Sequence, residues 1–84
     1  MNTPDSATPV PLQDASVDVQ EIVTHLVAKL IRAKKLSKNY ECAQIRSGIE
    51  DLITRENLDS VSVYDVFGSL SSDEAIDAAE KYLQ

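Results

Sequence analysis

The sequence is poor in residues that could cross-link a small fold. Its 84 residues include one cysteine, Cys42, and one histidine, His25. An intramolecular disulfide is therefore excluded, and one Cys with one His cannot build a zinc site. A chain this short forms one domain at most, so the packing of its core must hold it together. A lone thiol is typical of a reducing compartment, and we expect a cytoplasmic protein.

Glycine, proline and aromatic residues are also scarce, and this scarcity favours helices. The chain has two glycines, four aromatic residues and no tryptophan, which argues against a β-sandwich. All three prolines fall within residues 1–15, which show no helical period. We therefore expect a disordered tail over residues 1–15 and a single helical domain over residues 16–84. No apolar run approaches the ~20 residues that span a bilayer, so no membrane association is expected.

The strongest helical signal lies between Asp18 and Leu36, and the rest of the chain is organised around it. Its apolar residues recur at three- and four-residue steps, as in a helix that buries one broad face. They are Val19, Ile22, Val23, Leu26, Val27, Leu30 and Ile31. The spacing predicts an all-α fold, a small helical bundle of three to four helices. The predicted helices cover about residues 18–36, 40–56, 62–67 and 72–83.

Capping residues predict where these helices begin and end, and the first helix is expected to start near Ser16 or Asp18. Asp18 with Glu21, and Ser71 with Glu74, have the spacing of capping boxes at helix N-termini. Asn57 is predicted to end the second helix in the left-handed conformation.

The stretch from Ser60 to Gly68 has two interpretations. The alternation of serine and valine over residues 60–63 fits a short strand. Ser62 with Asp65, however, has capping-box spacing, and the apolar residues that follow keep a helical period. We prefer a short helix that Gly68 ends in the left-handed conformation, because a lone strand would have no partner.

No group of residues has the spacing of a catalytic, cofactor or metal site. His25 falls on the polar side of the first helix and is expected to be exposed, with no nucleophile or carboxylate at a telling spacing. Cys42 lies on the same face of the second helix as its apolar residues. We therefore expect its thiol to be buried and unreactive. We therefore predict a non-enzymatic protein that needs no cofactor.

Charge is distributed unevenly along the chain, whose net charge is −6. Residues 29–38 hold five bases and no acid, whereas residues 47–84 hold nine acids and two bases. The bases either match the negative end of the helix dipole or form a patch for an acidic partner or a nucleic-acid backbone. The asymmetry suits electrostatic steering, and pairing of two copies into a homodimer stays open.

These features favour a small acidic regulator that docks on another protein, such as a transcription factor. Antiactivators, inhibitors and small chaperones need only an apolar patch within a charged rim. The predicted partner-binding residues are Asp73, Asp77, Glu80 and Tyr82 on one face, and Lys34, Lys35 and Lys38 on a second.

The alternative hypothesis is a small DNA-binding transcriptional regulator. Residues 62–83 could form a helix-turn-helix unit. Residues 16–23, SVDVQEIV, could begin a ribbon-helix-helix arm that resembles antitoxin repressors. A helix that reads DNA carries Arg, Lys, Asn or Gln toward the bases, whereas the last helix offers Asp73, Glu74 and Asp77. Direct nucleic-acid binding is therefore the weaker hypothesis.

The triplet Asp59, Ser60, Val61 resembles the Asp-Ser-Leu motif of acyl carrier proteins, in which the serine holds the prosthetic group. Here the third residue is Val, no glycine flanks the pair, and the match covers three residues only. A carrier function is therefore not predicted.

Overall fold

The computed structural model describes residues 8–81, and most of this range is helical. Within it, a 3₁₀ turn at Leu12–Asp14 precedes five α-helices. The helices are α1 (Val17–Lys35), α2 (Asn39–Glu56), α3 (Ser60–Tyr64), α4 (Val66–Ser69) and α5 (Asp73–Glu80). Residues 8–81 contain no strand, only an isolated bridge between Val10 and Leu58. The predicted all-α bundle is confirmed.

The central helix is α1, because α2, α4 and α5 all pack against it. Val23, Val27 and Leu30 of α1 are at most 2% exposed, and they share one core with Ile49 of α2 and Val63 of α3. All seven apolar residues of the predicted face either lie in this core or pack against it. Full burial of such a side chain contributes roughly 1.5–3 kcal/mol. The periodicity therefore identified the residues of α1 that hold the bundle together.

Two helix N-termini are capped by serines. The Ser16 hydroxyl accepts a hydrogen bond from the Val19 amide at 3.3 Å and caps α1, so Ser16 is the helix start of the two expected positions, Ser16 and Asp18. The Ser72 hydroxyl does the same for α5 at 3.1 Å, in place of Ser71. Neighbouring Ser and Asp residues have similar capping preferences, so tertiary packing decides which one lies at the helix start.

Both long helices end in the left-handed conformation. Asn57 has φ 52°, as predicted, and the amide after it donates to the Ile53 carbonyl at 2.9 Å. Ser37 ends α1 in the same way, with φ 57° and the next amide bonded to the Ala33 carbonyl at 2.9 Å. A serine Cβ crowds the backbone in this region, so α1 ends at a sterically unfavourable residue.

The stretch from Ser60 to Gly68, for which a strand and a helix were both considered, is helical, as preferred. Asp59 caps α3 by accepting a hydrogen bond from the Ser62 amide at 3.3 Å. The chain leaves the helix at Asp65 and re-enters it as α4, so the single helix predicted over 62–67 is two short ones. Gly68 lies inside α4 and has no positive φ, so its predicted role in ending the helix is wrong.

Residues 8–15 lie against the bundle, which corrects the predicted tail over residues 1–15. The Val10 amide donates to the Asn57 carbonyl, and the Asp59 amide donates to the Val10 carbonyl, both at 2.8 Å. This segment therefore pairs with the loop between α2 and α3 as an added strand would.

Leu12 anchors the same segment in the core. Its side chain is buried, and its amide donates to the Ser62 hydroxyl at 2.9 Å. Pro9 and Pro11 favour an extended backbone, which suits strand-like pairing as well as it suits disorder. Residues 1–7, the remainder of the predicted tail, lie outside the described residues.

Leu30→Ala is expected to destabilise the fold by about 2–5 kcal/mol, because it removes volume from a closely packed site. Leu36 is 58% exposed just beyond the end of α1. Leu36→Ala is the matched control and should cost less than about 0.5 kcal/mol. Urea unfolding followed by circular dichroism measures both values. Equal midpoints for the two variants would show that α1 is not the central helix.

Ser37→Gly is expected to stabilise the protein by up to about 1 kcal/mol, because glycine adopts a positive φ without steric cost. Ser47 is exposed within α2 and offers the same substitution where glycine weakens a helix by a few tenths of a kcal/mol. Thermal unfolding should therefore show shifts of opposite sign. A loss of stability in both variants would contradict the left-handed geometry at Ser37.

Candidate functional site

The helix α5 packs against a side of α1 that the sequence analysis assigned to solvent. Arg32 donates to Asp77 at 2.5 Å and lies 3.1 Å from Glu80. Lys35, near the end of α1, lies 2.9 Å from Asp73. These five residues are called the charged seam below. The Arg32–Asp77 pair joins positions that are 45 residues apart in the sequence.

Small and apolar side chains lie beneath the charged seam. Ala28, one turn before Arg32, is fully buried, and so are Ile76 and Ala79 on α5. Alanine presents little bulk, so the two helices can approach each other closely at these positions. The ion pairs of the seam therefore border a hydrophobic contact and do not hold α5 by themselves.

The seam changes the pKa of two of its members. The hydrogen bond to Asp77, followed by the charge of Glu80, raises the pKa of Arg32. The hydrogen bond to Lys35 and the charge of that residue lower the pKa of Asp73. These groups are largely open to water, so solvent and salt weaken each pair.

Four of the seven predicted partner-binding residues belong to the charged seam. They are Asp73, Asp77, Glu80 and Lys35. The three acids and Lys35 were predicted to lie on two separate contact faces. In the structure these two faces meet. The side chains of Asp73 and Asp77 are still 86% and 56% exposed. A role for them in binding a partner stays a prediction.

The other three predicted residues lie apart from the seam. Lys38 lies 3.7 Å from Glu41, a neighbour on the first turn of α2. Lys34 is exposed and forms no ion pair within the described range. Tyr82 lies outside residues 8–81, so the structure gives it no place.

A groove opens between α1, α2 and the two short helices. It has a volume of about 440 Å³ and is lined by Leu30, Lys34, Arg46, Tyr64 and Phe67. The rings of Tyr64 and Phe67 stack with their centroids 6.0 Å apart and their planes 14° apart. Leu30 connects this apolar floor to the core. We call it the aromatic groove.

A hydrogen bond holds one ring of the aromatic groove in position. The Tyr64 hydroxyl donates to the Glu50 carboxylate of α2. This bond, partial burial and the charge of Glu50 raise the pKa of Tyr64, whereas the charge of Arg46 opposes the rise. The phenol is therefore protonated at neutral pH and continues to donate.

Two cations, Lys34 and Arg46, flank the aromatic groove. Neither Lys34 nor Arg46 lies within 4.0 Å of a carboxylate among residues 8–81, whereas Arg32, Lys35 and Lys38 all do. Two positive charges without a close ion pair among residues 8–81 therefore border an apolar floor, in a chain of net charge −6. Only Lys34 was predicted from the sequence, because no local spacing links residues on three separate elements.

The two residues considered for chemistry are both partly buried. His25 was expected to be exposed, but its Nδ1 atom is buried and has no hydrogen-bond partner among residues 8–81. Cys42 packs against the core on the apolar phase of α2. In the described part of the chain, no three His, Cys, Asp or Glu side chains are grouped so that they could hold a metal ion. No helix in that part has the length and hydropathy needed to cross a membrane.

The two DNA-binding geometries considered above meet structural obstacles. A DNA-reading helix at α5 would need side chains that bind nucleobases. Its acids Asp73 and Asp77 instead form ion pairs with Lys35 and Arg32 of α1. Residues 16–23 form the cap and first turns of α1, so the strand of a ribbon-helix-helix arm is not formed there.

Comparisons of the chain with protein-family models, with curated proteins and with solved structures gave no match. Geometry and charge are therefore the basis for a functional proposal.

Arg32→Gln is expected to loosen α5 from α1, because it removes the cation that contacts both Asp77 and Glu80. Amide hydrogen exchange should become several-fold faster in α5, and global stability should change little, since exposed ion pairs contribute weakly. Lys29→Gln is the matched control, because Lys29 is exposed on the same helix. Equal exchange in both variants would contradict a role for the seam in docking α5.

Lowering the pH is expected to loosen the contact between α1 and α5 in the unmodified protein. The folded state lowers the pKa of Asp73. Its contribution to stability is therefore present above the ordinary carboxyl pKa of about 4 and is lost as the pH falls through the folded value. The measurement is the protection factor of the α5 amides, which compares each exchange rate with that of an unstructured chain at the same pH. This factor should fall as the pH is lowered through the range, and an unchanged protection factor would argue against the pair.

Proposed function

We propose that this protein is a non-enzymatic regulator that acts by docking on another protein, in the manner of an antiactivator, an inhibitor or a small chaperone. The observation that carries the proposal is the aromatic groove, where Lys34 and Arg46 flank an apolar floor. Protein-binding sites combine an apolar centre, often aromatic or Arg-rich, with a polar rim. The groove has both parts.

The charge distribution supports docking by steering. The chain is acidic as a whole, and its carboxylates on α5 remain largely exposed at Asp73 and Asp77. A partner that meets a negative surface with a local positive groove is oriented before contact, which raises the association rate and rejects wrong partners.

The proposal does not require the chain to carry catalytic groups. It requires a rigid surface, and the elements around the groove supply one. Leu30 is fixed by the core, and Tyr64 is fixed by its hydrogen bond to Glu50. A fixed site loses less conformational entropy when a partner binds.

Removal of both groove cations is expected to abolish capture of the partner. The test is a tagged full-length chain incubated with nuclease-treated native lysate and analysed by mass spectrometry. The variant is Lys34→Glu with Arg46→Glu. The control is Lys29→Glu with Arg55→Glu, which changes the net charge by the same amount at exposed residues of the same two helices.

Each double variant contains one substitution in the last turn of its helix, so their effects on the helix dipole are comparable. Thermal unfolding checks that both variants remain folded. A stoichiometric protein that is captured by the parent and the control but lost with the groove variant would support the proposal. Equal capture by both variants, or retention of nucleic acid in place of protein before nuclease treatment, would overturn it.

A further inference from the structure

We infer that the aromatic groove binds an acidic segment of a partner protein, which inserts an apolar side chain between Lys34 and Arg46. This inference rests on the proposed function and names the chemistry of the partner at the same site.

The floor of the groove requires an apolar group. The partly buried rings of Tyr64 and Phe67 contribute the accessible apolar surface, with the buried side chain of Leu30 beneath them. The groove volume of about 440 Å³ is within the range of small-ligand sites. Water on such a floor is displaced favourably by a hydrocarbon side chain. A wholly polar acidic segment would leave this surface uncovered, so the segment must carry an anchor such as Leu or Phe.

The walls of the groove require negative charge beside that anchor. Lys34 comes from α1 and Arg46 from α2, so carboxylates on both sides of the anchor could each reach a cation. The Arg46 guanidinium can bind a carboxylate through two parallel hydrogen bonds. A basic segment would instead meet two like charges and is rejected.

The carboxylate of Glu50 does not form a close ion pair with either cation. It accepts the hydrogen bond from the Tyr64 hydroxyl and lies in no ion pair among residues 8–81. Arg32 and Lys35 of α1, in contrast, pair with acids of α5. Other bases of residues 8–81, such as Lys29 and Arg55, also lack a carboxylate within 4.0 Å, but only Lys34 and Arg46 flank the apolar floor of the groove.

The stacked rings favour a peptide over a nucleic acid. Tyr64 and Phe67 pack together with near-parallel planes and centroids 6.0 Å apart, so they form one compact aromatic pair and not a row of separate rings. Single-stranded nucleic acids bind where aromatic faces are free to receive successive bases along a basic track. Here one aromatic pair and two cations offer no basic track along which an extended phosphate backbone could lie.

The test is selection of a phage library of short random peptides on the immobilised full-length chain. We expect enriched peptides to share an aliphatic or aromatic residue flanked by Asp or Glu. Synthetic fluorescein-labelled versions are then titrated by anisotropy. The Lys34→Glu, Arg46→Glu variant should bind at least about tenfold more weakly, which is about 1.4 kcal/mol. The Lys29→Glu, Arg55→Glu control should bind within about twofold of the parent, because binding is local to the groove.

Two further titrations examine the chemistry of the peptide. Replacing its Asp and Glu by Asn and Gln, or its anchor by Ala, should each weaken binding. Added salt should weaken the acidic peptide more than the amide version, because it screens the charge pairs. Full binding by the amide version would show that the cations do not select the partner.

Three outcomes would overturn the inference. They are a lack of enriched peptides, enriched peptides without acids, and equal binding to the groove variant. Analytical ultracentrifugation of the chain alone adds a fourth, since a dimer that the groove variant disrupts would identify a second copy as the occupant. If lysate capture depends on the groove while selected peptides lack acids, this inference fails and the proposed function stands. If capture does not depend on the groove, the proposed function fails.

Discussion

The fold depends on the burial of α1 by three other helices. A chain of this size has no disulfide and a small core, so each contact with α1 counts for much of its stability. Val23, Val27 and Leu30 lie in the common core, while Ala28 on another side of the helix is buried as well. Because α1 is covered on more than one side, the positions of α2, α4 and α5 all follow from it. The aromatic groove between α1, α2 and the two short helices follows from the same packing.

The packing of other helices around α1 also decides which of its basic residues form ion pairs within the protein. The seam and the Lys38–Glu41 pair compensate three bases near the end of α1. Lys34 and Arg46, beside the stacked aromatic rings, have no carboxylate within 4.0 Å among residues 8–81, so they give the groove a local positive charge. The net charge of the chain describes its solubility and its long-range field, whereas recognition at short range depends on such uncompensated groups. An acidic protein can therefore present a basic groove.

The candidate site could be predicted from the sequence only in part. Lys34 was identified because five bases are clustered over ten residues, a signal that local composition carries. Arg46, Tyr64 and Phe67 carry no such signal, since each is one ordinary residue on a separate stretch of chain. Arg32 was missed for a related reason. Its position looks solvent-facing on an isolated amphipathic helix, and only the docking of α5 gives it partners.

Local spacing determined the elements, and the tertiary structure determined how they meet. The periodicity of α1 and α2, the left-handed end at Asn57 and the all-α class depend on contacts within a few residues, which the sequence displays directly. The choice of Ser16 and Ser72 as caps and the docking of residues 8–15 through Leu12 depended on packing between distant segments. So did the pairing of Arg32 with Asp77. A helical pattern specifies which face is apolar, but charges on the opposite face acquire partners only when a segment far along the chain folds against them.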